Sequence, residues 1–262
     1  MKILTSNIKG SAAFGWSNKE IKRQLVDELI EENADIVVLT EFVLVKGIDY
    51  LFEQFNDKYI YFNSSISGKN GIFIAVKRTF VDFEKFRENI VLGENFIYSN
   101  TEGCNILKVN IPLNDFENLV IVGCRMETSI LNKDFQKQYD SERECFDNIL
   151  ISAIKPLNKD CKYIICGDFN NAQCRGNLNK KFNPNDYKGY AQCNYNLNFI
   201  KDELEKIGFE MVDKKENGES IPTYNNIPDD HIFVKGFKIN RIEKPTIETD
   251  FSDHKMLIGE IE

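Results

Sequence analysis

Lys162-Tyr163-Ile164-Ile165-Cys166-Gly167-Asp168-Phe169-Asn170-Asn171 is a short apolar run that ends in a glycine, followed by a carboxylate and an amide two positions apart. The run is that of a buried strand, Gly167 relaxes the backbone at its end, and in an extended chain Asp168 and Asn170 leave on the same face. Paired in that way, a carboxylate can take a proton from water or help hold a hard cation while the amide orients an oxygen. The same residues also spell an ordinary Asp-x-Asn turn after a strand. The two readings are separated only by what the rest of the chain places beside them.

Outward from this stretch, apolar runs of strand length recur. Met1 to Asn7 is a first strand, and Ala34 to Thr40 a second, with Glu41 standing where its apolar run stops. Tyr59-Ile60-Tyr61-Phe62 and Gly71 to Val76 form two more around a polar turn, and Ile106 to Val109 and Leu119 to Val122 repeat the pattern, the latter delivering Arg125. Asp230 to Val234 and Lys255 to Ile261 close the chain. Between strands, Ser17-Asn18-Lys19-Glu20 has the form of a capping box ahead of Ile21, Leu25, Val26, Leu29 and Ile30 at helical spacing. Further helices are expected near Ile48 to Phe55, at Phe146 to Ile154 ahead of Pro156, and near Leu197 to Ile207. Many strands with a few helices between them suggest an α/β fold of two packed sheets covered by helices.

At 262 residues without a Pro-, Gly- or Ser-rich divider, residues 1–262 read as a single domain. Hydrophobic residues at 42% and charged residues at 28% exclude a disordered chain. No apolar run approaches membrane-spanning length, and Met1 to Thr5 already reads as a strand and not as a targeting segment. Seven cysteines without a Cys-x-x-Cys pair fit reduced thiols better than a disulfide frame or a zinc site. A cytoplasmic protein with no membrane contact and no obligate protein partner is expected. The net charge of −8 argues against coating nucleic acid by bulk electrostatics. It is compatible with phosphate chemistry when a divalent cation stands between the acids and the phosphate.

Polar residues gather where the strands end: Asn7, Glu41, Arg125, Asp168, Asn170, Asp230, Asp253 and His254. The motifs Ser6-Asn7-Ile8-Lys9-Gly10, Leu39-Thr40-Glu41, Gly167-Asp168-Phe169-Asn170, Asp230-His231-Ile232-Phe233 and Ser252-Asp253-His254 follow one another in that order. On these five motifs the sequence resembles the endonuclease/exonuclease/phosphatase superfamily, which includes deoxyribonuclease I and exonuclease III, over essentially its whole length.

The resemblance implies a four-layer α/β/β/α sandwich of two packed mixed sheets, deoxyribonuclease I-like, that hydrolyses phosphoesters with Mg2+ or Mn2+. It implies Glu41 as the metal-binding glutamate, with Asn7 and Asp253 in the metal and water shell. Asp168 matches the residue that orients or deprotonates the attacking water, Asn170 its partner on the phosphate, and His254 the histidine at the scissile phosphate, held by Asp230. Strand alternation agrees with this. The chain has two histidines, and if Asp230 points into the site, its neighbour His231 points away, which leaves His254 for chemistry and His231 for structure.

Two departures from the family pattern stand out. Gly123-Cys124-Arg125-Met126 occupies the place where many members carry a histidine or tyrosine. Arg125 keeps its proton but can clamp phosphate oxygens, or it can pair with a surface carboxylate such as Glu127. Lys9 stands where some members carry an acid near the metal. The stretch Ala172 to Tyr195 interleaves Arg175, Lys180, Lys181 and Lys188 with Phe182, Tyr187, Tyr190 and Tyr195, a composition open both to a solvated surface loop and to base stacking. Phe14 and Trp16 raise the same two alternatives.

The expected activity is a divalent-metal-dependent phosphodiester hydrolase, with a nuclease acting on DNA or RNA as the family default. A phosphatase or phosphodiesterase on inositol phosphates or other small phosphoesters is the alternative within the enzyme class. A catalytically degenerate binding module is the alternative outside it.

Overall fold

The chain is described by a computed structural model over residues 1–9, 21, 23–65, 70–81, 84, 87, 96–100, 105–115, 117–126, 144–170, 195–215, 218–224 and 228–262. Phe14, Trp16, the capping box at 17–20, Cys104, Glu127 and the cationic, aromatic stretch through residue 194 lie outside the described residues.

Two sheets face each other. The first contains β1 (Lys2–Asn7), β2 (Ile36–Phe42), β3 (Tyr59–Asn63), β4 (Gly71–Lys77), β11 (Ile239–Asn240), β12 (Thr246–Ile247) and β13 (Met256–Ile261). Its order is β11-β13-β1-β2-β4-β3, with β12 also on β13. The second contains β5 (Phe96–Asn100), β6 (Asn105–Pro112), β7 (Asn118–Arg125), β8 (Cys161–Asp168), β9 (Glu210–Met211) and β10 (Asp230–Lys235), in the order β5-β6-β7-β8-β10-β9. Each sheet has one parallel pair at its centre, β1 with β2 and β7 with β8, flanked by antiparallel neighbours.

Alternation along these strands explains the layering. One face of each sheet supplies Ile3, Ile36, Val38, Ile72, Ile74, Leu107, Val109, Ile121, Ile164, Ile232 and Leu257 to the core between them. The opposite face of the first sheet presents Leu4, Val37 and Leu39 to Leu25, Val26 and Leu29 of α1 (Arg23–Glu32) and Leu51 and Phe55 of α2 (Ile48–Asn56). The outer face of the second presents Val122, Ile165 and Phe233 to Phe146 and Leu150, and to Ile200 and Leu204 of α3 (Tyr195–Lys206). The order is helices, sheet, sheet, helices, as the resemblance implies. Each fully buried Leu or Val of α1 stabilises by about 1.5–3 kcal/mol, more than a cap at roughly 1 kcal/mol, so the apolar face fixes the helix on the sheet. Asn33, left-handed at φ 50°, ends it. The sheets approach closely at Gly123, where a Cβ would lie 2.5 Å from Ile72 Cγ2 and 2.9 Å from Val38 Cγ1.

Several sequence expectations are adjusted. Strand β2 runs through Glu41 to Phe42 with a register shift between Leu39 and Phe42, so Glu41 lies inside the strand and not beyond it. The segment Phe146–Ile151 is wound as a π-helix before Ser152–Ile154. Strand β9 covers only Glu210 and Met211, because Asp213 Oδ1 takes the backbone N–H of Ile232 at 2.9 Å in place of a further strand pair. Strand β5 carries no clear alternation and is absent from the sequence reading.

Candidate active site

Strand direction decides what collects at one rim. The carboxyl ends of β1, β2, β7 and β8 deliver Asn7, Glu41, Arg125 and Asp168, while β10, antiparallel to β8, begins there with Asp230. The segment before β13, antiparallel to β1, brings His254. Within the second sheet Asp168 lies between Arg125 on β7 and Asp230 on β10 in register.

Three polar pairs cross from one sheet to the other at this rim. Asn7 Nδ2 donates to Asp168 Oδ2 at 2.7 Å. Arg125 Nε and Nη2 both reach Glu41 Oε1, at 3.0 and 2.9 Å. His254 Nδ1 lies 2.7 Å from Asp230 Oδ2. Sequence separations of 161, 84 and 24 residues thus close into one cluster.

The turn after β8 is the Asp-x-Asn turn, and Asn170, left-handed at φ 47°, departs from the extended backbone that the same-face reading assumes. Asp168 Oδ1 accepts the Asn170 backbone N–H at 2.9 Å, which is an Asx turn. Asn170 Nδ2 donates to the Met126 carbonyl at 3.1 Å, leaving its second amide hydrogen for a substrate oxygen. Gly167 is required here: at φ 140° a Cβ would fall 2.0 Å from the Cys124 carbonyl oxygen. Lys9, Glu41 and Asn170 hold left-handed backbone at φ 51°, 52° and 47°. Such strain at three positions around one cluster is characteristic of functional sites.

Supports behind the cluster were not legible as site residues. Thr223 Oγ1 accepts the N–H of Asp230 at 3.0 Å, and Phe169 N–H donates to the Asp229 carbonyl at 2.7 Å. Ser252 Oγ donates to the Asn7 carbonyl at 2.6 Å and accepts the His254 N–H at 3.1 Å, tying the last loop to β1. The Tyr224 ring stacks on His254 with centroids 4.8 Å apart. Thr223, seven residues ahead of Asp230, carries no distinct sequence signal, since caps and turns use the same residues.

Electrostatics divide the acids and bases. Burial, then the Asp230 charge, push Asp168 up to about 6, while His254 and Arg125 pull it down. Burial opposes a charge on His254, but Asp230's charge and hydrogen bond, followed by Asp168, outweigh it and hold the imidazole at about 10. At neutral pH the site therefore contains an imidazolium and a carboxylate near its titration point. His231 points the other way, with Nδ1 2.7 Å from Asp213 Oδ2 in the core. Asp253 lies outside the buried cluster, exposed and paired with Lys9 Nζ at 2.8 Å. Arg125 finds its carboxylate at Glu41 across the sheet interface.

The available donors suit a hard cation. Glu41 Oε2 has no hydrogen bond among the described residues, and Asn7 Oδ1 and the Asp253 carboxylate add oxygens, the ligand type of magnesium and manganese. Among the described residues no three acidic, His or Cys side chains form a cage.

The model of the Endonuclease/Exonuclease/phosphatase family matches residues 4–254. The chain belongs to this family. No curated protein sequence matches the chain. Among solved structures it is similar to D. rerio TDP2 complexed with single strand DNA product, at TM-score 0.61 and 15% identity, covering 100% of this chain and 98% of that one. It is similar to an AP endonuclease from Archaeoglobus fulgidus at TM-score 0.57 and 14% identity, covering 100% and 99%. The human Nocturnin catalytic domain with bound sulfate anion matches at TM-score 0.54 and 14% identity, covering 100% and 93%. At such identities these likenesses establish the fold that this family member shares with them.

Proposed function

We propose that the protein is a divalent-metal-dependent phosphodiester hydrolase acting on nucleic acid. The observation that carries this reading is the set of three polar pairs crossing between the sheets, which brings a carboxylate near its titration point beside an imidazolium and a cationic guanidinium. Family membership supports a hydrolase. The TDP2 structure with its single strand DNA product and the AP endonuclease support nucleic acid as the substrate class.

In this reading Asp168, held by Asn7 and by the Asn170 N–H, takes a proton from the attacking water as its oxygen bonds to phosphorus. A base near pH 6 is suited to that step, because it is mostly ionised at neutral pH yet still basic. The bond to the leaving oxygen breaks in line, and that oxygen keeps the bonding pair and takes a proton from solvent water. His254, kept charged by Asp230, and the Asn170 amide stabilise the negative charge that grows on the phosphoryl oxygens, and Arg125 supplies a further cation. Glu41, Asn7 and Asp253 would hold the magnesium or manganese ion, which supplies Lewis-acid stabilisation of phosphate charge when bound.

The test is incubation of purified protein with Mn2+ and single-stranded DNA, duplex DNA, RNA and an inositol polyphosphate. Cleavage of a nucleic acid that is lost in Asp168→Ala and His254→Ala is the expected result. Turnover of the inositol phosphate alone would overturn the substrate assignment. Inactivity on all four together with no Mn2+ binding would favour a binding module of the same fold.

A further inference from the structure

We infer that Arg125 and the divalent cation are alternative partners of Glu41, so that arrival of the cation hands the guanidinium over to the substrate phosphate. The inference rests on the metal-dependent reading above and adds a coupling between metal and phosphate binding.

The geometry of the pair is unusual for a structural salt bridge. An arginine that serves only to anchor a carboxylate commonly spans both oxygens with two nitrogens. Here Nε and Nη2 converge on the single oxygen Oε1, and Oε2 is left without a described hydrogen bond. Glu41 is also the residue at which β2 departs from strand geometry, at φ 52°, so its side chain is presented by a backbone kink and not by the regular pleat. The pair is 15% and 18% exposed at its side chains, buried enough to escape most solvent screening yet reachable from the rim.

The charges then dictate an exchange. A dication on Glu41 neutralises the carboxylate that attracts Arg125 and repels the guanidinium itself. Arg125 stands next to Asp168 in the β7 and β8 register, at the place where the attacked phosphate would sit in the proposed reaction. A phosphate with its oxygens between the two cations is the one ligand that both of them favour. Cation and phosphate therefore bind with positive coupling, and by linkage each tightens the other by the same factor. Without phosphate, Arg125 competes for Glu41 and weakens the cation site. A family histidine or tyrosine at this position would carry no such fixed charge, so the coupling follows from the arginine.

Mn2+ binding, followed by calorimetry and by the EPR signal of free Mn2+, tests this without reference to turnover. In wild-type protein, saturating inorganic phosphate is expected to tighten Mn2+ binding about 10-fold. Arg125→Gln is expected to bind Mn2+ about 10-fold more tightly than wild type in the absence of phosphate, with the phosphate effect gone. Arg125→Lys keeps the charge and is expected to resemble wild type without phosphate, which provides a readout if the glutamine variant fails to fold. Unchanged or weaker Mn2+ binding in Arg125→Gln, or Lys and Gln variants that behave alike, would overturn the exchange. Glu41→Gln separates the two levels of inference: if it leaves Mn2+ binding intact, the metal site itself is misplaced, whereas its loss alongside an inert Arg125→Gln overturns only the coupling.

Discussion

The Asn7 side-chain amide donates to Asp168 from the other sheet, at 2.7 Å, with both residues almost wholly buried. The same amide oxygen accepts the Lys9 N–H at 2.8 Å, so the orientation of the donor is fixed by the chain that follows β1. Asp168 is thereby positioned by a residue whose own strand belongs to the opposite layer. Sheet packing and the proposed base are one structural unit.

Removal of that amide is expected to show in both stability and rate. Asn7→Ala loses a buried hydrogen bond to a charged group, roughly 1.5–3 kcal/mol, and lowers the melting temperature by several degrees. Asn7→Asp places a second carboxylate against Asp168 and raises its titration above the present value of about 6. The acidic limb of kcat/KM then moves to higher pH in proportion. A pH profile of this variant that overlays the wild type would show that Asp168 is not the group whose ionisation limits the reaction.

The Asp230 to His254 contact yields a prediction of opposite sign. Burial alone would lower the imidazole, and Asp230 is the largest influence holding it at about 10. In Asp230→Asn the NMR titration of His254 Cε1–H, followed in metal-free protein, is expected to fall by about 2 pH units or more. Because the folded value lies above the unfolded one of about 6.5, the stabilisation from this pair is complete below that pH and is lost as pH rises through about 10. The urea-unfolding difference between wild type and Asp230→Asn should therefore be large at pH 6 to 8 and shrink toward pH 10 and above. A difference independent of pH would mean that the imidazole is neutral in the folded protein.

The sequence was informative about strand ends and silent about what crosses between them. Alternation along β10 places Asp230, with His254 on it, and His231, with Asp213 on it, on opposite faces. The Asp168 to Asn170 spacing carries the turn after β8. Arg125 pairs with Glu41, 84 residues away, because that partner is chosen by how the two sheets face each other, which no local pattern encodes. Glu41 itself sits at a left-handed kink inside β2 without a glycine or asparagine to mark it. The support Thr223 is equally unmarked, since a hydroxyl that accepts two backbone N–H groups looks in sequence like any turn residue.

The second histidine gives a prediction confined to the core. His231 and Asp213 are both fully buried, joined at 2.7 Å, and Asp213 Oδ1 also accepts the Ile232 N–H. Burial opposes the charged imidazole, yet the Asp213 charge and hydrogen bond overcome it and raise the histidine above its ordinary value. Breaking such a pair from one side leaves a buried charge uncompensated, at a cost of roughly 3–5 kcal/mol, whereas replacing both members with apolar groups of similar volume is often close to neutral. Asp213→Leu is therefore expected to be strongly destabilising. Adding His231→Phe, whose ring can extend the aromatic contacts with Phe169 and Phe233, should recover most of the loss. The recovery has a limit, because the Ile232 N–H stays without its acceptor in both variants and retains about 1–3 kcal/mol of the penalty. Equilibrium unfolding of the two single variants and the double variant gives the coupling directly. Additive effects, with no recovery in the double variant, would show that the pair is held by the surrounding packing and not by its charges.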